Sequence, residues 1–252
     1  MNPASHDAEK FEDLRTPVAA IVIAVLFTAV ALLENTLLPW APFYFAYAWL
    51  STVLPFGVGG FTFGEFSSIR RGTWNGVILL PFALLGVQAV WLVWLYPALL
   101  SAGGVDAALI ASSAYNLQAA LQQMLEVAAA RWEIGVDSIQ FYYFGGILLW
   151  AGLGEELFYR GYLYTSLRGR WGVTLGAVIS SGFFGIRHAT QLALLGANYP
   201  WGAALSWVVI SFLVGLALCW LYEKSKSLLP SILAHYVLNL IPAASMLAGP
   251  AS

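Results

Sequence analysis

The residues best suited to chemistry lie in one apolar run. "LLWAGLGEELFYRGYLYTSLRGR" spans 148–170 and carries Glu155, Glu156 and Arg160 near its middle. A charge at the centre of a bilayer costs at least about 2.5–3.5 kcal/mol on insertion scales. Each of the three therefore requires a partner, a cavity or a function. Residues four apart share a helix face, and acid-before-base is the favourable order, so Glu156 and Arg160 are expected to neutralise one another. Glu155 is rotated by about 100° in an α-helix and faces a different wall, without an ionic partner in its own helix. Tyr159 falls on the Glu155 face one turn later, placed to hydrogen-bond to it. Gly152, Gly154 and Gly161 flank the site within this run, and small residues there let neighbouring helices approach closely.

The chain has 3 histidines. His6 lies in a polar N-terminal stretch and is expected to have no special role. His188, in "SSGFFGIRHAT", and His235, in "SILAHYVLNL", fall inside later apolar segments. Imidazole titrates near neutral pH, and an intramembrane ionisable group marks a functional site by default. His235 and Asn239 are four apart and present to one place. Phe184 and His188 are also four apart, so the phenyl ring can pack beside the imidazole. One acid, two histidines and an amide from three helices is a set that activates water. A carboxylate takes the proton, an imidazole orients the water, and N–H donors meet the oxyanion.

Each group also has a bland reading. A Glu–Arg pair can be packing, a buried histidine can be structural, and an asparagine can hold helices together. Their concentration in the C-terminal half favours a site. Arg187, beside His188, either caps a carboxylate or extends outward along its aliphatic stem. Glu34 and Glu65 sit near segment ends and are expected to meet headgroups or solvent.

The elements that must position these groups are membrane helices. Of the 252 residues, 60% are hydrophobic and 10% charged, against about 25% charged in a soluble domain. The formal net charge of −2 speaks against a nucleic-acid surface. The single cysteine, Cys219, excludes an internal disulfide, a CxxC pair and a multi-cysteine zinc site, and reads as a small core residue.

About 20 apolar residues cross a bilayer as a helix. The sequence offers seven such segments, at roughly 17–38, 42–63, 74–100, 140–165, 172–194, 202–222 and 228–247. The third is long enough to tilt, or to kink at Pro81. Trp40, Trp74, Trp171, Trp201 and Trp220 fall near segment ends, where interfacial aromatics belong. The fold class is therefore all-α and polytopic: a polar cytoplasmic tail over 1–15 and one membrane domain over 16–252. Within the long connection 101–138, Ile110, Leu117, Leu121, Met124, Leu125, Ala128 and Trp132 recur at helical spacing, with Gln118, Gln122, Gln123 and Glu126 between them. This stretch reads equally as an amphipathic helix on the outer interface or as a half-buried packing helix. Lys10, Arg15, Arg70, Arg71, Arg168, Arg170, Lys224 and Lys226 fall on one side of seven alternating helices. By the positive-inside rule the N-terminus is expected in the cytoplasm and the C-terminus outside, in a bacterial inner (plasma) membrane.

Three of these motifs resemble those of the CAAX protease and bacteriocin-processing family, called CPBP or ABI. "EELFYR" (Glu155, Glu156, Arg160) resembles its EExxxR motif. "FGIRH" (Phe184, His188) resembles FxxxH, and "HYVLN" (His235, Asn239) resembles HxxxN. They occur in the family's order on separate helices, and the resemblance covers about 145–245. The family comprises intramembrane endopeptidases. The resemblance implies that Glu155 is the general base and that His188 helps it hold the attacking water. It makes His235 and Asn239 the oxyanion donors, with Glu156, Arg160 and Phe184 as structural support. The expected partners are the lipid bilayer and a membrane-associated protein or peptide substrate, cleaved for maturation, sorting or immunity. No cofactor is expected. Two histidines and a glutamate form a possible zinc set, but no HExxH is present. The alternatives of another class are a proton-coupled transporter using Glu155 and His188 as a relay, and a non-catalytic membrane scaffold.

Overall fold

A computed structural model of the chain describes Leu14 and residues 16–37, 50–55 and 74–247. The described residues form helices and turns, with no strand among them. The long elements are α1 (Pro17–Leu37), α2 (Trp74–Val90), α3 (Tyr96–Ala102), α4 (Ala107–Ala111), α5 (Leu117–Trp132) and α6 (Val136–Gly146). Two wide-turn π segments follow, Ile147–Glu155 and Leu157–Tyr164. Then come α7 (Thr165–Thr190), a 3-10 segment (Gln191–Asn198), α8 (Trp201–Ser225) and α9 (Leu228–Leu247).

The punctuation between elements is local chemistry. Asp106 caps α4 by accepting from the Ala108 N–H at 2.8 Å, and Asn116 caps α5 by accepting from Ala119 N–H at 3.1 Å, as N-cap side chains do. Glu133 and Lys226 end α5 and α8 in the left-handed conformation. Helical conformation breaks inside α7 at Gly172, where φ is +83°, a value that favours glycine. That break separates the fourth and fifth apolar segments. The chain runs helically through Pro81 and widens into a π turn at Trp91–Leu95.

Among the described residues, three helices are long and apolar enough to cross a membrane: Pro17–Thr36, Asn75–Ala102 and Trp201–Ser225. Leu228–Leu240 is apolar but shorter. The described residues thus do not by themselves confirm the count of about seven. Segment 42–63 lies mostly outside the described residues. The segments at 140–165 and 172–194 are helical but carry Glu155, Glu156, Arg160 and Arg187 and are interrupted by π turns and by Gly172. Length and hydropathy alone therefore do not select them.

The outward faces are apolar. On α1, Ala20, Ala24, Phe27 and Ala31 are buried at helical spacing, while Val18, Val22, Val25 and Leu26 are exposed. A soluble protein would place charge there. The apolar outward faces and the three apolar helices of spanning length are those of an integral membrane protein. Phe27 stacks on Phe158 with centroids 4.2 Å apart, docking α1 on the second π segment. α5 buries Leu117, Ala120, Met124, Leu125, Ala128 and Ala129 and leaves Gln118, Gln122 and Glu126 exposed. It packs on the 3-10 segment, α6 and α8, which is the half-buried packing arrangement.

α7 and α8 make the most extensive contact in the bundle. Two glycines permit it. A Cβ at Gly185 would lie 2.7 Å from the Val208 carbonyl oxygen, and one at Gly215 would lie 2.8 Å from Ser181 Cβ. Cys219 is buried on this seam, 3.9 Å from Ser181 Oγ. At one end of the bundle Arg168 and the Tyr164 hydroxyl both donate to Glu223, at 2.7 and 2.8 Å, and Lys226 pairs with the same carboxylate.

Candidate active site

Glu155 closes the first π segment and Glu156 links it to the second. A π turn bonds i to i+5 rather than i+4, so consecutive side chains diverge less than in an α-helix. The two carboxylates are expected on different walls, yet they meet on one imidazole. His235 Nδ1 lies 2.9 Å from Glu156 Oε1, and His235 Nε2 lies 3.7 Å from Glu155 Oε2. The first distance is a hydrogen bond; the second lies outside hydrogen-bond range.

Each acid also holds its own guanidinium. Arg160 Nη1 donates to Glu156 Oε1 at 2.8 Å, and its Nη2 donates to the Gly215 carbonyl at 3.2 Å. Arg187 Nη2 lies 3.1 Å from Glu155 Oε1. The groups thus form a line: Arg187, Glu155, His235, Glu156, Arg160. Glu156 and Arg160 are 0% exposed, Glu155 is 1% exposed, and Arg187 and His235 are 3% exposed. A buried charge without a partner is strongly destabilising. Two acids against two guanidiniums give a formal charge of zero with His235 neutral. Of the two sequence readings of Arg187, capping a carboxylate is the one found.

Phe184 is the packing centre. Its ring lies 4.5 Å from that of His188, 5.8 Å from His235 and 5.1 Å from Tyr159, each edge-on. The Arg160 guanidinium carbon sits 4.4 Å over its face, a cation–π contact. His188 is half-buried. Its Nδ1 donates to the Phe184 carbonyl at 2.7 Å. A carbonyl only accepts, so this bond puts hydrogen on Nδ1 and leaves Nε2 as the acceptor. His188 lies within electrostatic reach of Glu155. Asn239 stands one turn after His235 on α9 and is partly buried. Its side chain makes no hydrogen bond to a described residue.

Two expectations are corrected. Tyr159 does not hydrogen-bond to Glu155, neither of whose carboxylate oxygens has a hydrogen-bond partner. The π turn changes the register on which the four-residue spacing relied, and Tyr159 packs edge-on to Phe184 instead. Glu34 does not face headgroups or solvent. It is 5% exposed, beside the equally buried Asn35, because its side of α1 packs inward. Glu65 lies outside the described residues. The flanking glycines do admit close neighbours: a Cβ at Gly152 would lie 2.8 Å from the Tyr236 ring, and one at Gly154 2.6 Å from Ser51 Oγ.

Sequence reasoning missed two buried groups beside the site. The Tyr143 hydroxyl on α6 donates to Gln191 Oε1 at 2.5 Å. Tyr143 is within electrostatic reach of both Arg187 and Glu155. The available signal was Gln191 one turn after Arg187 in "RHATQ"; Tyr143 sits in an aromatic run, "FYYF", that singles out no member. Among the described residues, no cluster of three His, Cys, Asp or Glu side chains has metal-holding geometry.

Comparison with curated proteins and with solved structures gives no match. Residues 137–241 match the family model "Type II CAAX prenyl endopeptidase Rce1-like". That span runs from the start of α6 into α9 and contains all three motifs and every residue of the buried charge line. Residues 137–241 are therefore similar to the Rce1-like CAAX prenyl endopeptidases, and it is this part of the chain that carries the motifs.

Proposed function

We propose that the chain is an intramembrane endopeptidase that hydrolyses a peptide bond of a membrane-associated protein or peptide, with Glu155 as general base. The observation that carries this reading is the placement of Glu155. A buried carboxylate, fixed by Arg187, stands beside His235 and within electrostatic reach of His188. Glu155 takes a proton from water, and the resulting hydroxide attacks the scissile carbonyl carbon. The His188 Nε2 lone pair, left available by the bond from Nδ1 to Phe184, orients that water. His235 and Asn239 supply donors to the oxyanion. For Nε2 of His235 to donate while Nδ1 stays on Glu156, both nitrogens must carry hydrogen. The tetrahedral intermediate collapses as the C–N bond breaks, and the proton held by Glu155 passes to the leaving amine.

A CAAX-type prenylated peptide is the first substrate to try, because the matched family model is that of a prenyl endopeptidase. We read the site as metal-independent: charge neutralisation that a zinc ion would supply comes here from Arg160 and Arg187. Seven crossings with a cytoplasmic N-terminus, in a bacterial plasma membrane, complete the reading. The meeting of Arg168 and Lys226 on Glu223 supports placing the basic residues after the fourth and sixth segments at one end.

The test compares membrane and secreted peptides from cells making the wild-type chain or Glu155→Ala. It is paired with cleavage of a farnesylated CAAX peptide carrying a fluorophore and quencher across the scissile bond. Products that depend on Glu155 and persist in the presence of a zinc chelator are expected. Identical peptide profiles for the two chains would overturn the protease reading, and loss of activity restored by added zinc would overturn its metal-independence.

A further inference from the structure

Arg187 fills a variable position of the FxxxH motif, yet it touches the residue on which the chemistry depends. Its Nη2 lies 3.1 Å from Glu155 Oε1, and both side chains are almost wholly buried. Glu155 lies at the junction of the two π segments and Arg187 near the end of α7, so the contact ties two elements together across the bundle. Around it stand further fixed groups. Thr190 Oγ1 donates to the Arg187 carbonyl at 2.7 Å. One turn after Arg187, Gln191 accepts from Tyr143 at 2.5 Å, which fastens this end of α7 to α6.

The geometry points to Arg187 as a positioning residue for the Glu155 base, with the Tyr143–Gln191 pair as the buttress that holds the arginine's segment in place. The proposal rests on the reading of Glu155 as general base. The physical argument is one of charge and aim. Glu156 has Arg160 within its own helical run, whereas Glu155 has no cation there and receives one from α7. Both oxygens of Glu155 lack a hydrogen-bond partner, so the ion pair is what orients the carboxylate between Arg187 on one oxygen and His235 on the other. A misplacement of about 1 Å at a reacting group can cost about 100-fold in rate. A guanidinium offers a planar, fixed fork where lysine offers a flexible point charge. Lysine should therefore restore the charge but only part of the aim.

Two measurements on the full-length protein in detergent micelles or proteoliposomes test this. The first is thermal stability of Arg187→Gln, Glu155→Gln and the double variant. Arg187→Gln alone strands a buried carboxylate and should lower the melting temperature by about 10 °C. In the Glu155→Gln background the same change should cost far less. Additive effects would overturn the pairing. This readout needs no substrate and stands even if the protease reading fails. The second is cleavage of the farnesylated fluorogenic peptide. Arg187→Gln should lower kcat by about 100-fold with KM changed less than about 3-fold, Arg187→Lys should recover part of kcat, and Tyr143→Phe should lower kcat by about 10-fold. An Arg187→Gln protein that folds and keeps wild-type kcat would overturn the positioning role. Cleavage that survives Glu155→Gln would instead overturn the general-base assignment, while the stability coupling would still report the ion pair.

Discussion

Nδ1 of His235 lies 2.9 Å from Oε1 of Glu156, so the second glutamate of the pair, and not the first, makes the hydrogen bond to the imidazole. Glu156 thereby does two things at once. It offsets the charge of Arg160 and fixes the orientation of His235.

Glu155→Gln and Glu156→Gln should accordingly fail in different ways. Glu155→Gln should reduce cleavage to background, because an amide cannot accept the proton from water; it also strands Arg187, so some loss of stability accompanies the loss of activity. Glu156→Gln strands Arg160 at 0% exposure, and losing one partner of a buried pair costs about 3–5 kcal/mol. Thermal unfolding and cleavage rates measured side by side distinguish the two. Near wild-type turnover of Glu155→Gln, or unchanged stability of Glu156→Gln, contradicts the assignment.

Phe184 should be intolerant of truncation. It touches His188, His235, Tyr159 and Arg160, so Phe184→Ala opens a cavity among all four. The expected loss is about 3–5 kcal/mol, with Phe184→Leu losing less. Unfolding of the purified variants reads this directly. An Ala variant as stable as the wild type would show that the ring does not hold the site together.

Gly185→Ala should weaken the α7–α8 seam. The added Cβ would meet the Val208 carbonyl oxygen at 2.7 Å and the Phe212 nitrogen at 3.3 Å. Both are backbone atoms that cannot rotate away. Forcing the helices apart should cost about 1–3 kcal/mol, read as a lower melting temperature of the purified variant. Gly182→Ala, where a Cβ meets nothing within 4 Å, is the control and should be tolerated.

Reporter fusions test the orientation. An extracytoplasmic signal is expected from a fusion after Ser252 and a cytoplasmic one after Arg71. A cytoplasmic signal from the Ser252 fusion means that the number of crossings differs by one from seven. The opposite signal from the Arg71 fusion reverses the N-terminal assignment.

The positions of the helices were legible because hydropathy and helical spacing are local properties. α1, α8 and the polar and apolar faces of α5 lie where the pattern places them, and Glu156 and Arg160 pair as four-residue spacing requires. The segments that carry the charged site residues were legible as helical stretches but do not meet a span criterion, since function adds the very charges that a hydropathy criterion counts against. The motif residues were named from their types and spacing alone. Glu155 does face a different wall from Glu156, taking Arg187 of α7 while Glu156 takes Arg160 of its own run; what the spacing could not show is that His235 stands between the two carboxylates. The partners of Glu155 were beyond sequence. Arg187 and His235 are 32 and 80 residues away along the chain, and no periodicity within one helix encodes a contact between helices. Only packing decided them: Gly185 and Gly215 let α7 and α8 approach at backbone distance, and burial made each carboxylate take the nearest cation.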